Sequence, residues 1–412
     1  MGTEIEVPSI MKALLLILIL FQFTCMGTQA KADGEGWSDA SLSNARNWNE
    51  NPALFSDSFS ATIWGAIKAE SRDLSDEEAR QSTIYLKTSF YGKKQPAYLI
   101  TQKKGHSPFT RNAPLMVIIP GIFVPALDSY PVAEAQRFYQ QGYHVLILSN
   151  PWSIAALKHD PFFKPGRIEE EGYSVLESIQ IAIQKEIGYR NISSVSLYGE
   201  SYGAMLAAIT AGLDDQANPT LTGKVMLASP PLRMIDSYHR LDQIYAETAD
   251  MRGYCKSKQI RIGINFLRAK GEWNLNQDSQ ECAKSLVASN FMELLAQSLK
   301  QIEKTHLDIP RDEPYEVSFD YYVRHLAPEL TEYCTHKSAQ CDLSYWLGQA
   351  VKKGKLSIDV VASGDDFLNH ASDWNDIPSI LPDTAHQLIL LNWGGHLGYL
   401  GSRSYAQGLF QK

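Results

Sequence analysis

Apolar positions follow two alternating patterns along this chain. Leu115-Met116-Val117-Ile118-Ile119, His144-Val145-Leu146-Ile147-Leu148-Ser149, Ser194-Val195-Ser196-Leu197-Tyr198, Lys224-Val225-Met226-Leu227-Ala228, Leu356 to Ala362 and Gln387-Leu388-Ile389-Leu390-Leu391 are short apolar runs. Runs of that length predict strands buried on both faces. Between them, Val132 to Gln141, Tyr173 to Ile187 and the alanine-rich stretch Ala204 to Ala211 read as packed helices. Upstream, Leu54 to Ala69 has helical spacing, while Thr83 to Tyr91 and Ala97 to Gln102 alternate around Gly92-Lys93-Lys94-Gln95 as a β-hairpin does. Strands alternating with helices after a hairpin predict an α/β fold, a mostly parallel sheet covered by helices.

The alternation stops between Ser229 and Lys355, where amphipathic helices such as Phe291 to Ile302 and Phe319 to Leu326 take over. We expect a core formed by residues 33–229 and 355–412 and a helical cap inserted over residues 230–354. Loops at the carboxyl ends of parallel strands surround the binding crevice, so an insertion there would cover it. Cys255, Cys282, Cys334 and Cys341 all lie in this interval. In an exported chain an even number of cysteines predicts disulfides, and four allow three pairings. Pairing neighbours, Cys255 with Cys282 and Cys334 with Cys341, closes the shortest loops and is the expected arrangement. With no C-x-x-C run, a metal site is not expected.

Gly199-Glu200-Ser201-Tyr202-Gly203 joins a predicted strand to a predicted helix. So tight a turn strains its central residue and needs small neighbours, because strand and helix nearly touch there. The arrangement would leave the Ser201 hydroxyl exposed at the sheet edge. A serine hydroxyl is a poor nucleophile until a base takes its proton, and that base needs an acid to orient it. In a strand-to-helix elbow the chain order is Ser, then Asp or Glu, then His. Ser363-Gly364-Asp365-Asp366-Phe367-Leu368 follows one late strand, and Asn392-Trp393-Gly394-Gly395-His396-Leu397-Gly398-Tyr399 follows the last. Asp365 and Asp366 compete for the acid. Of ten histidines, His396 is the expected base. His144 enters its strand from the opposite end and reads as structural, and His370 is a weaker rival. An oxyanion would be met by the backbone N–H groups of Tyr202 and Ile122, the latter aimed by a turn at Gly121.

With these parts in order on predicted strand ends, the chain resembles the α/β-hydrolase superfamily from about Thr83 to Lys412. Asp365-Asp366-Phe367 and Gly394-Gly395-His396-Leu397-Gly398-Tyr399 are similar to the Asp-Asp-Pro and Gly-Gly-His-x-Gly loops of YheT-like esterases. That resemblance implies Asp366 as the acid of a Ser201–His396–Asp366 triad. Phe367 replaces the usual proline, and Pro120 stands where many relatives have histidine. Gly199-Glu200-Ser201-Tyr202 also resembles the start of the serine carboxypeptidase motif, whose second half does not match. The resemblance implies a serine hydrolase acting on small carboxylic esters, or alternatively a peptidase acting on short peptides, or a non-catalytic binding protein; no cofactor or metal is implied.

Composition and the first residues bear on location and partners. The net charge is −8 at pH 7, and no Lys/Arg-rich run is interleaved with aromatics. A nucleic-acid partner is therefore not expected. Met11-Lys12 followed by the apolar run Ala13 to Phe21, with Ala30-Lys31-Ala32 beyond, has the layout of a secretory signal over residues 1–32, giving a mature chain from about Asp33. The run is shorter than the roughly 20 residues of a membrane span. A secreted or periplasmic location is expected.

Overall fold

A computed structural model describes residue 55 and residues 57–70, 80–104, 107–160, 163–270, 275–303, 317–354, 356–381 and 386–401. The signal segment expected over residues 1–32, and the start near Asp33, lie outside them. Eight strands form one sheet: β1 (Arg80–Leu86), β2 (Gln95–Thr101), β3 (Ala113–Ile119), β4 (His144–Leu148), β5 (Ile192–Glu200), β6 (Lys224–Ala228), β7 (Ser357–Ser363) and β8 (His386–Leu391). Their order is β1-β2-β4-β3-β5-β6-β7-β8. The expected hairpin, β1 with β2, joins antiparallel to β4, and every pairing from β4 to β8 is parallel.

Side chains alternate across a strand, so each apolar run feeds two cores. Leu115, Val117, Ile119, Leu146 and Leu197 pack on one face with Val175 and Ile179 of α4 (Ile168–Ala182) and Met205, Leu206 and Ile209 of α5 (Tyr202–Leu213). Met116, Ile118, Val145, Ile147 and Tyr198 pack on the other with Ala61 and Trp64 of α1 (Ser58–Glu70) and Ala135 and Phe138 of α2 (Ser129–Gln140). Each fully buried Leu, Ile or Met stabilises the fold by about 1.5–3 kcal/mol. A short helix, α3 (Ile154–His159), follows β4.

Helix α4 begins five residues before the expected Tyr173. Its first turn carries Glu169, Glu170 and Glu171, polar residues that break the apolar spacing yet favour a helix N-terminus through the dipole. Helix α1 begins after Asp57, whose carboxylate accepts from the N–H groups of Phe59 and Ser60, each at 3.0 Å, and so satisfies two unpaired donors.

After β6 come α6 (Met234–Glu247), α7 (Arg252–Arg268), α8 (Gln277–Glu303), α9 (Phe319–Tyr321, continued by a π-turn to Leu326), α10 (Pro328–His336) and α11 (Leu343–Lys352). α8 runs 27 residues, far beyond the expected Phe291 to Ile302, because its first turns are polar. The sulfurs of Cys255 and Cys282 lie 2.11 Å apart and tie α7 to α8, and those of Cys334 and Cys341 lie 1.97 Å apart and tie the end of α10 to the turn after it. Trp346 fills the space where a Cβ on Gly212 of α5 would fall, so α11 covers the sheet as the crossover into β7. No described helix is long and apolar enough to cross a membrane.

Candidate active site

Ser201 sits between the end of β5 and the start of α5 with φ 53° and ψ −126°, a conformation that non-glycine residues seldom adopt. The surroundings hold it there. Its N–H donates to the carbonyl of Ala228 at 2.8 Å. A Cβ on Gly199 would fall 2.4 Å from the Gly203 carbonyl oxygen, and one on Gly203 would fall 2.1 Å from that of Ile119. Only glycine fits either position, and strand and helix therefore meet as closely as the elbow demands. Ser201 is not exposed as the sequence suggested: it is 5% accessible, with Gly121 of the loop after β3 beside its Cβ and His396 on its hydroxyl.

Three residues read from separate loops meet here. His396 Nε2 lies 2.7 Å from Ser201 Oγ, and His396 Nδ1 lies 2.9 and 3.2 Å from the two carboxylate oxygens of Asp366. An ionised carboxylate only accepts hydrogen bonds, so Nδ1 carries the ring proton and Nε2 is left to accept from the serine hydroxyl. Asp366 is buried and is oriented further by the N–H of Leu368, which donates to it at 2.9 Å. Asp365 turns elsewhere, accepting from the N–H of Gly395 at 2.9 Å. Burial raises the Asp365 carboxyl above its ordinary value, opposed by that N–H.

Ile122 and Tyr202 flank the serine. The N–H of Val124 donates to the Gly121 carbonyl at 3.2 Å, closing a turn that leaves the N–H of Ile122 unused. The strained position in this turn is Phe123, at φ 70°, where glycine is usual. Gly121 opens this turn, as expected, and stands beside the serine: a Cβ there would make ordinary contact, 3.6 Å from the Ser201 Cβ. Tyr202 opens α5, so its N–H has no acceptor within the helix. Its phenol donates to Glu171 at 2.7 Å, and Gly166 N–H donates to the same carboxylate at 2.5 Å. Burial pushes Glu171 up to about 7, partly offset by these two donors. Glu200 points to the opposite face, where burial and the nearby Glu134 raise it above the carboxylate range.

Among the described residues, the non-glycines with positive φ are Phe123, Ser201, Ser229 and Leu397. All four follow strand ends around this site, and such strain persists where surroundings over-determine the backbone. The other histidines considered are elsewhere. His144 is buried between the Gln102 N–H and the carbonyls of Arg111 and Asn191, and His370 lines a cavity of about 290 Å³ with Arg233, Arg240 and Asp366. Among the described residues no cluster of His, Cys, Asp and Glu is arranged to hold a metal. Thr62, Ser229 and Ser363, which touch the histidine loop, carry no motif, although Ser229 could have been suspected from its place just past a core strand.

A mostly parallel eight-stranded sheet whose central strand turns through Ser201 into a helix, with an acidic loop and a histidine loop after later strands, is an α/β-hydrolase fold. No family model matches the sequence, and no curated protein matches it. Among solved structures, the chain is similar to a puromycin hydrolase at 10% identity and TM-score 0.49, covering 82% of this chain and 39% of that one. It is similar to the acylaminoacyl peptidase of Pyrococcus horikoshii at 12% identity and TM-score 0.44, covering 81% of this chain and 40% of that one. It is also similar to the α/β hydrolase GrgF from Penicillium sp., at 14% identity and TM-score 0.43, covering 79% and 94%. The chain thus spans about 40% of the length of the two longer proteins.

Proposed function

We propose that this protein is an exported serine hydrolase that cleaves carboxylic esters through an acyl-enzyme. The observation that carries the reading is the continuous hydrogen-bonded line from Ser201 through His396 to Asp366, buried at the carboxyl edge of the sheet. Ser201 Oγ attacks the ester carbonyl carbon while its proton passes to His396 Nε2. Asp366 stabilises the imidazolium so formed. The carbonyl oxygen becomes an oxyanion met by the N–H groups of Ile122 and Tyr202, and one such donor is worth about 100- to 1,000-fold in rate. As the tetrahedral species collapses, His396 returns the proton to the departing alkoxide oxygen and Ser201 keeps the acyl group. Water, deprotonated by His396, then releases the acid by the same steps.

The likeness of the acidic and histidine loops to those of YheT-like esterases favours an ester over a peptide. In this reading the cap is the expected segment 230–354 without α11, which packs against α5 of the core. Phe291 and Phe319 support it, since their rings stand 6.4 Å from that of Phe123, the residue after Ile122. The two cysteine pairs suit an oxidising compartment, in line with export.

The test is hydrolysis of p-nitrophenyl esters of graded acyl length beside short peptide p-nitroanilides. The reading expects ester turnover that is lost in Ser201→Ala. Preference for the anilides would make the protein a peptidase, and full ester turnover by Ser201→Ala would sink the reading.

A further inference from the structure

The histidine loop cannot hold its own shape. Gly394, Gly395 and Leu397 have φ of 133°, 55° and 67°, so His396 is set among residues in the left-handed region. Two of these are glycines and tolerate it, but Leu397 does not. Four backbone groups from Gly395 to Leu397 are instead gripped by side chains from three separate segments of the chain. Asp365 accepts the Gly395 N–H, Ser363 donates to the Gly395 carbonyl, and Ser229 accepts the Leu397 N–H at 3.4 Å. The N–H of His396 itself goes to Thr62 Oγ1 at 2.9 Å.

Thr62 differs from the other three. Ser229 follows β6, and Ser363 and Asp365 lie at and just past the end of β7, as the loop follows β8, whereas Thr62 lies on α1, ahead of the sheet. Its hydroxyl proton is committed to the carbonyl of Ser58 at 2.8 Å, one turn back along the helix. With one proton to give, the oxygen can meet His396 only as an acceptor, and the N–H is only a donor. The pair therefore has a single arrangement. The helix is also pressed against the loop: a Cβ on Gly395 would fall 2.0 Å from the Ser58 carbonyl oxygen, and one on Gly398 would fall 2.4 Å from that of Ala61.

We propose that Thr62 is a positioning residue for His396, and that α1 is a clamp which completes the site from outside the sheet. This rests on the reading of His396 as the base. Thr62 acts through the His396 N–H, not on the ring: it sets where the His396 backbone lies and hence how the ring spans Ser201 and Asp366. Displacements of about 1 Å at such a group can lower turnover by about 100-fold.

Thr62→Val keeps the volume and removes the acceptor, while Thr62→Ser keeps the hydroxyl. For the full chain we expect Thr62→Val to lower kcat on esters by about 10- to 100-fold with KM changed by less than about twofold. Thr62→Ser should recover most of that loss. The downfield proton resonance of the His396 Nδ1–H···Asp366 hydrogen bond should be shifted or lost in Thr62→Val and regained in Thr62→Ser. If Thr62→Val lowers the melting temperature yet leaves kcat and that resonance as in the unaltered protein, Thr62 is merely structural and the proposal is overturned. The resonance needs no turnover, so it decides the clamp even where Ser201→Ala shows the esterase reading to be wrong.

Discussion

The serine elbow and the histidine loop both hold residues in strained backbone, yet they are built in opposite ways. At the elbow the constraint is local: strand β5 runs into helix α5, Gly199 and Gly203 allow the close approach, and Ser201 is left nowhere else to go. At the histidine loop it is assembled from Thr62, Ser229, Ser363 and Asp365, contributed by three widely separated segments of chain. A constraint made from neighbours leaves a motif in the sequence, and one made from distant side chains does not. The first should fail by unfolding, and the second by misplacing a ring in a folded protein.

The largest effect should separate the two adjacent aspartates. Asp366→Asn keeps the shape but favours the wrong imidazole tautomer, and kcat should fall by about 10,000-fold with the melting temperature little changed. Asp365→Asn retains an oxygen for the Gly395 N–H, and the loss should stay within about tenfold. Steady-state ester kinetics on both variants decide this, and equal losses would erase the division of labour between them.

At the elbow, Gly203→Ala would drive a methyl group into the Ile119 and Pro120 carbonyls. It should cost at least about 3 kcal/mol in denaturant unfolding, since overpacking and backbone strain act together there. A well-folded Gly203→Ala variant with altered kcat alone would mean that the elbow is not the rigid half.

A smaller, pH-dependent effect belongs to Glu171, which holds the Tyr202 phenol. Its carboxyl is raised from 4.5 to about 7 in the folded state. The folded protein therefore binds the proton more tightly than the unfolded chain. Its stabilising contribution is complete below about pH 4.5 and is lost as the pH rises through about 7, a change of about 3 kcal/mol. Glu171→Gln should flatten that part of the stability profile, measured by urea unfolding from pH 4.5 to 7.5. An unchanged slope would show that Glu171 is not its source.

The same contrast explains what could be read from the chain before its structure. The core strands were legible because parallel strands buried on both faces are continuous apolar runs, and β6 spans Lys224–Ala228 as the run does. Neighbour pairing of the cysteines was legible as the shortest closure, and the structure brings those pairs together. Helix starts were not, where polar first turns conceal them, as at Glu169-Glu170-Glu171 of α4 and Gln277-Asp278 of α8. Ser201, His396 and the Asp365–Asp366 pair could be picked out because each follows a strand end in a fixed order, while only the resemblance to YheT-like loops pointed to Asp366 between the two. The burial of Ser201 could not, since what closes over it comes from elsewhere in the chain. Thr62 was invisible for the same reason: a threonine within an amphipathic helix has no sequence mark of the loop it touches 334 residues later.

Covalent labelling tests the central claim most directly. The purified protein would be treated with a fluorophosphonate, digested and mapped by mass spectrometry. Our account predicts one adduct, on Ser201, formed by the unaltered protein, absent from Ser201→Ala and strongly slowed in Asp366→Asn. No adduct on the folded protein, or an adduct that persists in Ser201→Ala, would contradict it.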